Sequence, residues 1–291
     1  MAMWTRRDVL QFGVAAPLGA CAATAAARAS ANALSAGVVD THTHFYDPAR
    51  PEGVPWPGKD DQFLYRTVLP DDYRRLAGPI GVIGTVVVEA SPWIEDNQWI
   101  LDLAANDPFL LGLVGNLAPG SPEFARHFVR FARNRLFLGI RLGSGSLAKG
   151  LDDRAYLADV QRLALAGLTL DVNGGPELLP LVDRLATKFP GLRIVINHLA
   201  NVRIDGKVPP QDWAVGMHAV AKHPHVFCKV SALVEGASRP NEPSPTDVAF
   251  YKPVLDHAWK TLGEDRLLYG SNWPVSQGHR LFHIAQESEQ S

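Results

Sequence analysis

Between residues 71 and 270 the sequence alternates between stretches with helical spacing of apolar residues and short, nearly continuous apolar runs, each bounded by Gly, Pro, Asn or Asp. The helical stretches are expected at 71–76, 94–106, 122–134, 152–166, 176–188, 210–222 and 246–262. The apolar runs that follow them fall at 82–89, 110–117, 137–142, 168–172, 192–198, 226–231 and 266–270. Short runs without polar alternation suit strands buried on both faces of a parallel sheet. Together with an opening run at 38–45 they make eight strands and seven crossovers, which predicts an α/β fold, a (β/α)8 TIM barrel of the usual size of about 250 residues. An open doubly wound sheet usually carries a glycine-rich phosphate turn after its first strand, and residues 45–50 contain none. The segment 48–70, rich in Pro, Gly and Asp and containing Trp56, reads as a long loop.

Composition sets the outer bounds. The chain has 291 residues, is 46% hydrophobic and 20% charged, and has a formal charge of -2. That is the balance of a globular protein with a full core, without the basic excess that nucleic acid would require, and it directs attention to a small-molecule substrate. Residues 1–31 read as a twin-arginine-type signal peptide, from Thr5-Arg6-Arg7-Asp8-Val9-Leu10, the small-residue run after it and the cleavage pattern Ala29-Ser30-Ala31. Residues 32–291 then form one barrel domain, exported to the periplasm and without a transmembrane segment once the signal is removed. A competing feature, Leu18-Gly19-Ala20-Cys21, resembles a lipoprotein box that would anchor the protein through Cys21. Cleavage after Ala31 leaves Cys228 as the sole thiol, within an apolar run that suggests a buried, inert side chain.

In a barrel of this kind active sites lie at the C-terminal strand ends. Polar residues collect there: His42 and His44 on the first strand, Glu89 on the second, Asn116 on the third and Arg141 on the fourth. Asp171 ends the fifth, His198 the sixth, Lys229 and Ser231 the seventh, and Asn272 the eighth. Alternation along a strand places His42 and His44 on one face, with Asp40. Any one of these side chains alone is readily a hydrogen-bonded barrel residue, but their gathering at one end is a site. Three neutral imidazoles, His42, His44 and His198, suit Zn²⁺ or a similar divalent ion with positions left for water or substrate. Arg141 and Lys229 add positive charge for a substrate carboxylate or a developing oxyanion. For Arg141 an ion pair with Glu89 or Asp171 is an equal reading.

Six stretches carry a family resemblance: Val39-Asp40-Thr41-His42-Thr43-His44-Phe45, Val86-Val87-Val88-Glu89-Ala90-Ser91, Gly139-Ile140-Arg141, Val195-Ile196-Asn197-His198-Leu199, Lys229-Val230-Ser231 and Asp265-Arg266-Leu267-Leu268-Tyr269-Gly270-Ser271-Asn272-Trp273-Pro274. In this order they resemble the amidohydrolase-related (amidohydrolase 2) family, in the branch of 2-pyrone-4,6-dicarboxylate lactonase and L-fuconolactonase-like sugar lactonases. The resemblance implies hydrolysis of a small anionic lactone, or a related ester or amide, by an activated water. His42, His44 and His198 stand in the family's histidine positions, with a divalent metal (Zn or Mn) in some relatives and none in others. Two departures stand out. Asn272 replaces the family aspartate that acts as base or ligand, and an amide cannot accept a proton at neutral pH. By strand-end position Glu89 or Asp171 is the nearest substitute, and the alternatives are an impaired barrel that binds a small carboxylate or a decarboxylase-type relative. The tail after Val275 is also short for the family, with Leu281, Phe282 and Ile284 as candidates for part of a closing helix.

Overall fold

The computed structural model describes residues 37–238 and 243–279. The stretch read as an export signal, with Cys21, and the apolar residues 281, 282 and 284 lie outside the described residues. Eight parallel strands follow one another in chain order, β1 to β8, around a barrel. They are β1 (Val38–Thr43), β2 (Val82–Val88), β3 (Leu110–Gly115), β4 (Phe137–Gly143), β5 (Thr169–Asn173), β6 (Arg193–Ile196), β7 (Val226–Val230) and β8 (Leu267–Tyr269). Between them run α1 (Pro70–Ala77), α2 (Ile94–Asn106), α3 (Phe124–Ala132), α4 (Ser144–Gly150), α5 (Arg154–Leu165), α6 (Leu179–Lys188), α7 (Gln211–Ala221), the single turn α8 (Leu233–Gly236) and α9 (Val248–Leu262). The expected strands and crossover helices are all present, with ends moved by a few residues. The turns α4 and α8, inserted directly after β4 and β7, were not legible as periodic stretches because each is too short to show a repeat.

Local chemistry explains the boundaries. Asp153 caps α5 by accepting from the backbone N–H groups of Ala155 and Tyr156, and Asp247 caps α9 through Ala249. The first crossover is a loop up to Pro70, which begins α1 where its missing N–H costs nothing. Along β2 the faces separate cleanly: Val87 belongs to the large core between strands and helices, while Val86 and Val88 join Val114 in a small cluster on the opposite, inner side. Strands β5 to β7 are the most deeply covered, with Leu170, Val172, Ile194, Ile196, Val226 and Cys228 all fully buried.

The barrel closes between β8 and β1 beyond the last regular pairing. The His44 N–H donates to the Trp273 carbonyl at 2.8 Å and the Asn272 N–H to the His42 carbonyl at 2.9 Å. Asp40 clasps the same seam: its Oδ1 accepts from the N–H groups of His42 (2.8 Å) and Ser271 (3.0 Å), and its Oδ2 accepts from the Tyr73 hydroxyl of α1. Burial holds the Asp40 carboxyl above its usual range, against the pull of these donors. Asp40 is therefore spent on closing the barrel. Gly270 is needed here because a Cβ would stand 2.8 Å from that of His42.

Candidate active site

The C-terminal mouth gathers the residues that the strand ends suggested. His42, His44, His198, Asn272, Lys229 and Asp171 are all buried, none more than 8% exposed. The His42 ring centroid lies 5.0 Å from that of His44 and 4.4 Å from that of His198, so His42 packs against both of the other imidazoles. Two are placed by unusual backbone. His198 opens a run of four residues, His198–Asn201, with φ between 44° and 55°, and Asn272 has φ 56°. Non-glycine residues pay for left-handed backbone, and Asn pays least. The run at His198 is anchored by Trp213, whose indole N–H donates to the Leu199 carbonyl at 2.7 Å.

The cations and carboxylates are paired among themselves. Arg141 Nε donates to Glu89 Oε1 at 2.7 Å, and its Nη2 donates to the Glu89 carbonyl at 2.7 Å. Lys229 Nζ donates to Asp171 Oδ2 at 2.6 Å, and the Asn197 amide donates to the same oxygen at 2.9 Å. Of the two readings for Arg141, the ion pair with Glu89 is the one the structure contains. The suggestion that Glu89 or Asp171 stands in for the family aspartate does not fit: each is occupied by its own cation, and neither contacts Asn272. The carboxylate beside Asn272 is Glu235 on α8, whose Oε1 accepts from Asn272 Nδ2 at 2.7 Å. Sequence reasoning missed it, since it lies four residues past Ser231 in a loop with no periodicity.

Burial sets the protonation states. Desolvation, followed by the charge of Lys229, holds His42 well below the ordinary histidine range, and the same two causes act on His198. His44 is pushed down to about 3 by burial and then by Arg141. Burial also lowers Lys229 and raises Glu89, with their partners Asp171 and Arg141 opposing. All three imidazoles are thus neutral, the form that binds metals and exchanges protons.

Hydrogen bonding then fixes where two protons sit. His44 Nδ1 lies 2.9 Å from the Val88 carbonyl, so the ring's proton is there and Nε2 carries a lone pair. The Asn272 amide nitrogen faces the Glu235 carboxylate, so its Oδ1 is the atom turned to His44 Nε2, at 3.2 Å. Two acceptors therefore face each other. Nearby, His42 Nε2 is buried with no hydrogen-bond partner. His42 Nδ1 is 3.4 Å from Lys229 Nζ, and His198 Nδ1 is 2.8 Å from Ser231 Oγ.

Among the described residues no three His, Cys, Asp or Glu side chains have their donors gathered for one ion. The three-histidine shell expected from the sequence is thus not ready-made, because His198 bonds Ser231 and borders His42 rather than joining a common point. The donor chemistry nevertheless suits a divalent ion at the seam. Two ligands of one tetrahedral zinc, each about 2.0–2.1 Å from it, stand about 3.3 Å apart. The His44 to Asn272 separation of 3.2 Å is of that size, and His42, whose Nε2 has no hydrogen-bond partner among the described residues, is the neighbouring imidazole that could add a third ligand.

A parallel (β/α)8 barrel carries its active site at the C-terminal strand ends, where these histidines and paired ions lie. The amidohydrolase family profile matches residues 39–285, and the chain belongs to that family. It is 33% identical over 246 residues to L-fucono-1,5-lactonase of Burkholderia ambifaria, covering 83% of this chain and 82% of that one. A second L-fucono-1,5-lactonase, from Burkholderia multivorans, is 25% identical over 244 residues, covering 81% and 82%. A crystal structure of a Burkholderia multivorans amidohydrolase with bound zinc shares the fold, with a TM-score of 0.73, 24% identity and coverage of 87% and 90%.

Proposed function

We propose that this protein opens a small anionic lactone of the sugar-acid type by attack of water on the ring carbonyl. The observation that carries this reading is the gathering at one end of the barrel of the His44 imidazole and the Asn272 oxygen, 3.2 Å apart, with His42 and His198 packed ring to ring next to them and Lys229 within 3.4 Å of His42. The relative at 33% identity is named a lactonase, while the impaired-barrel and decarboxylase alternatives draw no support from it.

Each residue has a definite task in this reaction. Arg141 spends two N–H groups on Glu89 and turns the remaining guanidinium edge to a substrate oxygen. Lys229, held by Asp171, stabilises the negative charge that grows on the carbonyl oxygen and persists in the carboxylate product. His44 Nε2 and Asn272 Oδ1 are acceptors for the hydrogens of the attacking water. The proton that His44 Nε2 takes from the water goes back to the departing ring oxygen, and Ser231, bonded to His198, can hydrogen-bond that oxygen as it leaves. A Zn or Mn ion would be held by His42, His44 and Asn272, and when bound it would polarise the carbonyl and make hydroxide available near neutral pH.

The test is a panel of sugar-acid 1,4- and 1,5-lactones and pyrone lactones, assayed with metal-free protein and with added Zn²⁺ or Mn²⁺. Turnover of at least one anionic lactone is expected, and none under any condition overturns the reading. Metal content after purification separates the metal-loaded from the metal-independent form. Export is a separate proposal, supported by the twin-arginine pattern, and sequencing the N-terminus of periplasmic protein tests it.

A further inference from the structure

Left to itself, the Asn272 side chain would turn over. With its amide nitrogen toward His44 Nε2 it would donate an N–H···N hydrogen bond; as it stands, two lone pairs meet at 3.2 Å. What prevents the turn is Glu235. Its Oε1 accepts from Asn272 Nδ2 at 2.7 Å, and a turned amide would instead set its oxygen against the carboxylate. Ser276 Oγ, 2.6 Å from the same Oε1, helps fix the carboxylate, and Glu235 Oε2 is buried with no partner among the described residues. The turn that carries Glu235 is itself held. The Ile204 N–H donates to the Gly236 carbonyl at 2.9 Å, and Ser244 Oγ donates to the Val234 carbonyl at 2.8 Å.

We propose that Glu235 is a positioning residue: it locks Asn272 oxygen-inward, so that His44 Nε2 and Asn272 Oδ1 are kept as a bare acceptor pair for a cation or a water proton, a role that rests on the hydrolase reading of this mouth. Asn272 and Glu235 together thereby supply what a single aspartate would, with the negative charge one residue further from the histidines. A direct corollary concerns Asn272→Asp. It places two carboxylates in hydrogen-bond contact and should impair the wild-type site, whereas Asn272→Asp with Glu235→Gln should restore it.

The decisive measurement needs neither substrate nor metal. In chelator-treated protein the ¹⁵N shift of His44 Nε2 should be that of an unprotonated ring nitrogen receiving no N–H from Asn272. In Glu235→Met it should move by several ppm as the amide turns and donates. Glu235→Gln, which keeps an accepting oxygen, should retain the wild-type shift. Zinc binding, titrated against a competing chelator, should weaken about 10–100-fold in Glu235→Met and by much less in Glu235→Gln. A wild-type His44 Nε2 already receiving that hydrogen bond overturns the proposal, even if Glu235→Met does not fold. So does an unchanged shift in a folded Glu235→Met. If the wild type opens no lactone but the shifts behave as stated, the hydrolase reading falls and the lock on Asn272 stands.

Discussion

The two sides of the barrel mouth solve the problem of buried polarity in opposite ways. Toward β2, β4, β5 and β7 every charge has a counter-charge, Glu89 with Arg141 and Asp171 with Lys229, and each contact is 2.7 Å or shorter. At the β8–β1 seam the groups are left wanting: among the described residues His42 Nε2 and Glu235 Oε2 have no partner, and His44 Nε2 faces another acceptor. Buried polar groups are normally satisfied, and three wanting atoms together at one seam are consistent with a place where a ligand or water binds. In the proposed reaction the paired side holds the substrate and stabilises its charge, and the unpaired side handles the water.

That contrast is sharpest if the paired side is broken. Lys229→Met leaves Asp171 as a buried anion with only the Asn197 amide, and should cost about 3–5 kcal/mol in urea unfolding. Adding Asp171→Asn should recover most of that loss, because the two mutations act on one interaction. The histidines give the next largest effect. They titrate near 6.5 in the unfolded chain but well below it when folded, at about 3 for His44. The unfolded state therefore takes up protons first as pH falls, so this stability is whole above about pH 6.5 and drains away below it, by up to about 1.4 kcal/mol per pH unit for each histidine. Asp40 and Glu89, raised by burial, pull the other way. Three imidazoles against two carboxyls leave a net loss, measurable in chelated protein as a falling urea midpoint between pH 7 and 5.

On the unpaired side the effects should fall on activity. His44→Asn should lower kcat by roughly 100-fold while the melting temperature holds within a few degrees, since no counter-charge is orphaned. On the paired side, Arg141→Lys keeps the charge but loses the planar fork, and should raise KM about tenfold with a smaller change in kcat. The smallest effect belongs to Cys228, a fully buried thiol pushed up to about 12 by its surroundings. Cys228→Ala should leave turnover unchanged and cost about 1 kcal/mol, and thiol reagents should not inactivate the native protein.

How much of this could be read beforehand follows from the same physics. The strands were legible because burial on both faces makes them continuous apolar runs, and the helices because one apolar stripe repeats every turn. His42 and His44 were visible from alternation in a single strand, and His198 from its place at a strand end. Alternation also put Asp40 with the histidines, but its carboxylate is taken up at the β8–β1 closure, where it accepts from Tyr73, Ser271 and the His42 N–H. Which cation meets which carboxylate depends on side chains crossing between strands, so Arg141 stayed open between two readings until coordinates paired it with Glu89. Glu235 had no signal at all beyond its charge, as a one-turn helix after the left-handed Ala232 leaves no period to detect. Asn272 looked like a loss when set against an aspartate; with its neighbour in view it is half of a pair.

The left-handed turn at His198–Asn201 carries a consequence for anyone who mutates or mines this protein. Backbone of that hand admits glycine, asparagine and aspartate cheaply and shuts out valine, isoleucine and threonine, whatever their polarity. Substitution tolerance there should follow handedness rather than chemistry, so a saturation library across the four positions would return a narrow alphabet even at Asn201, the one site among them open to solvent.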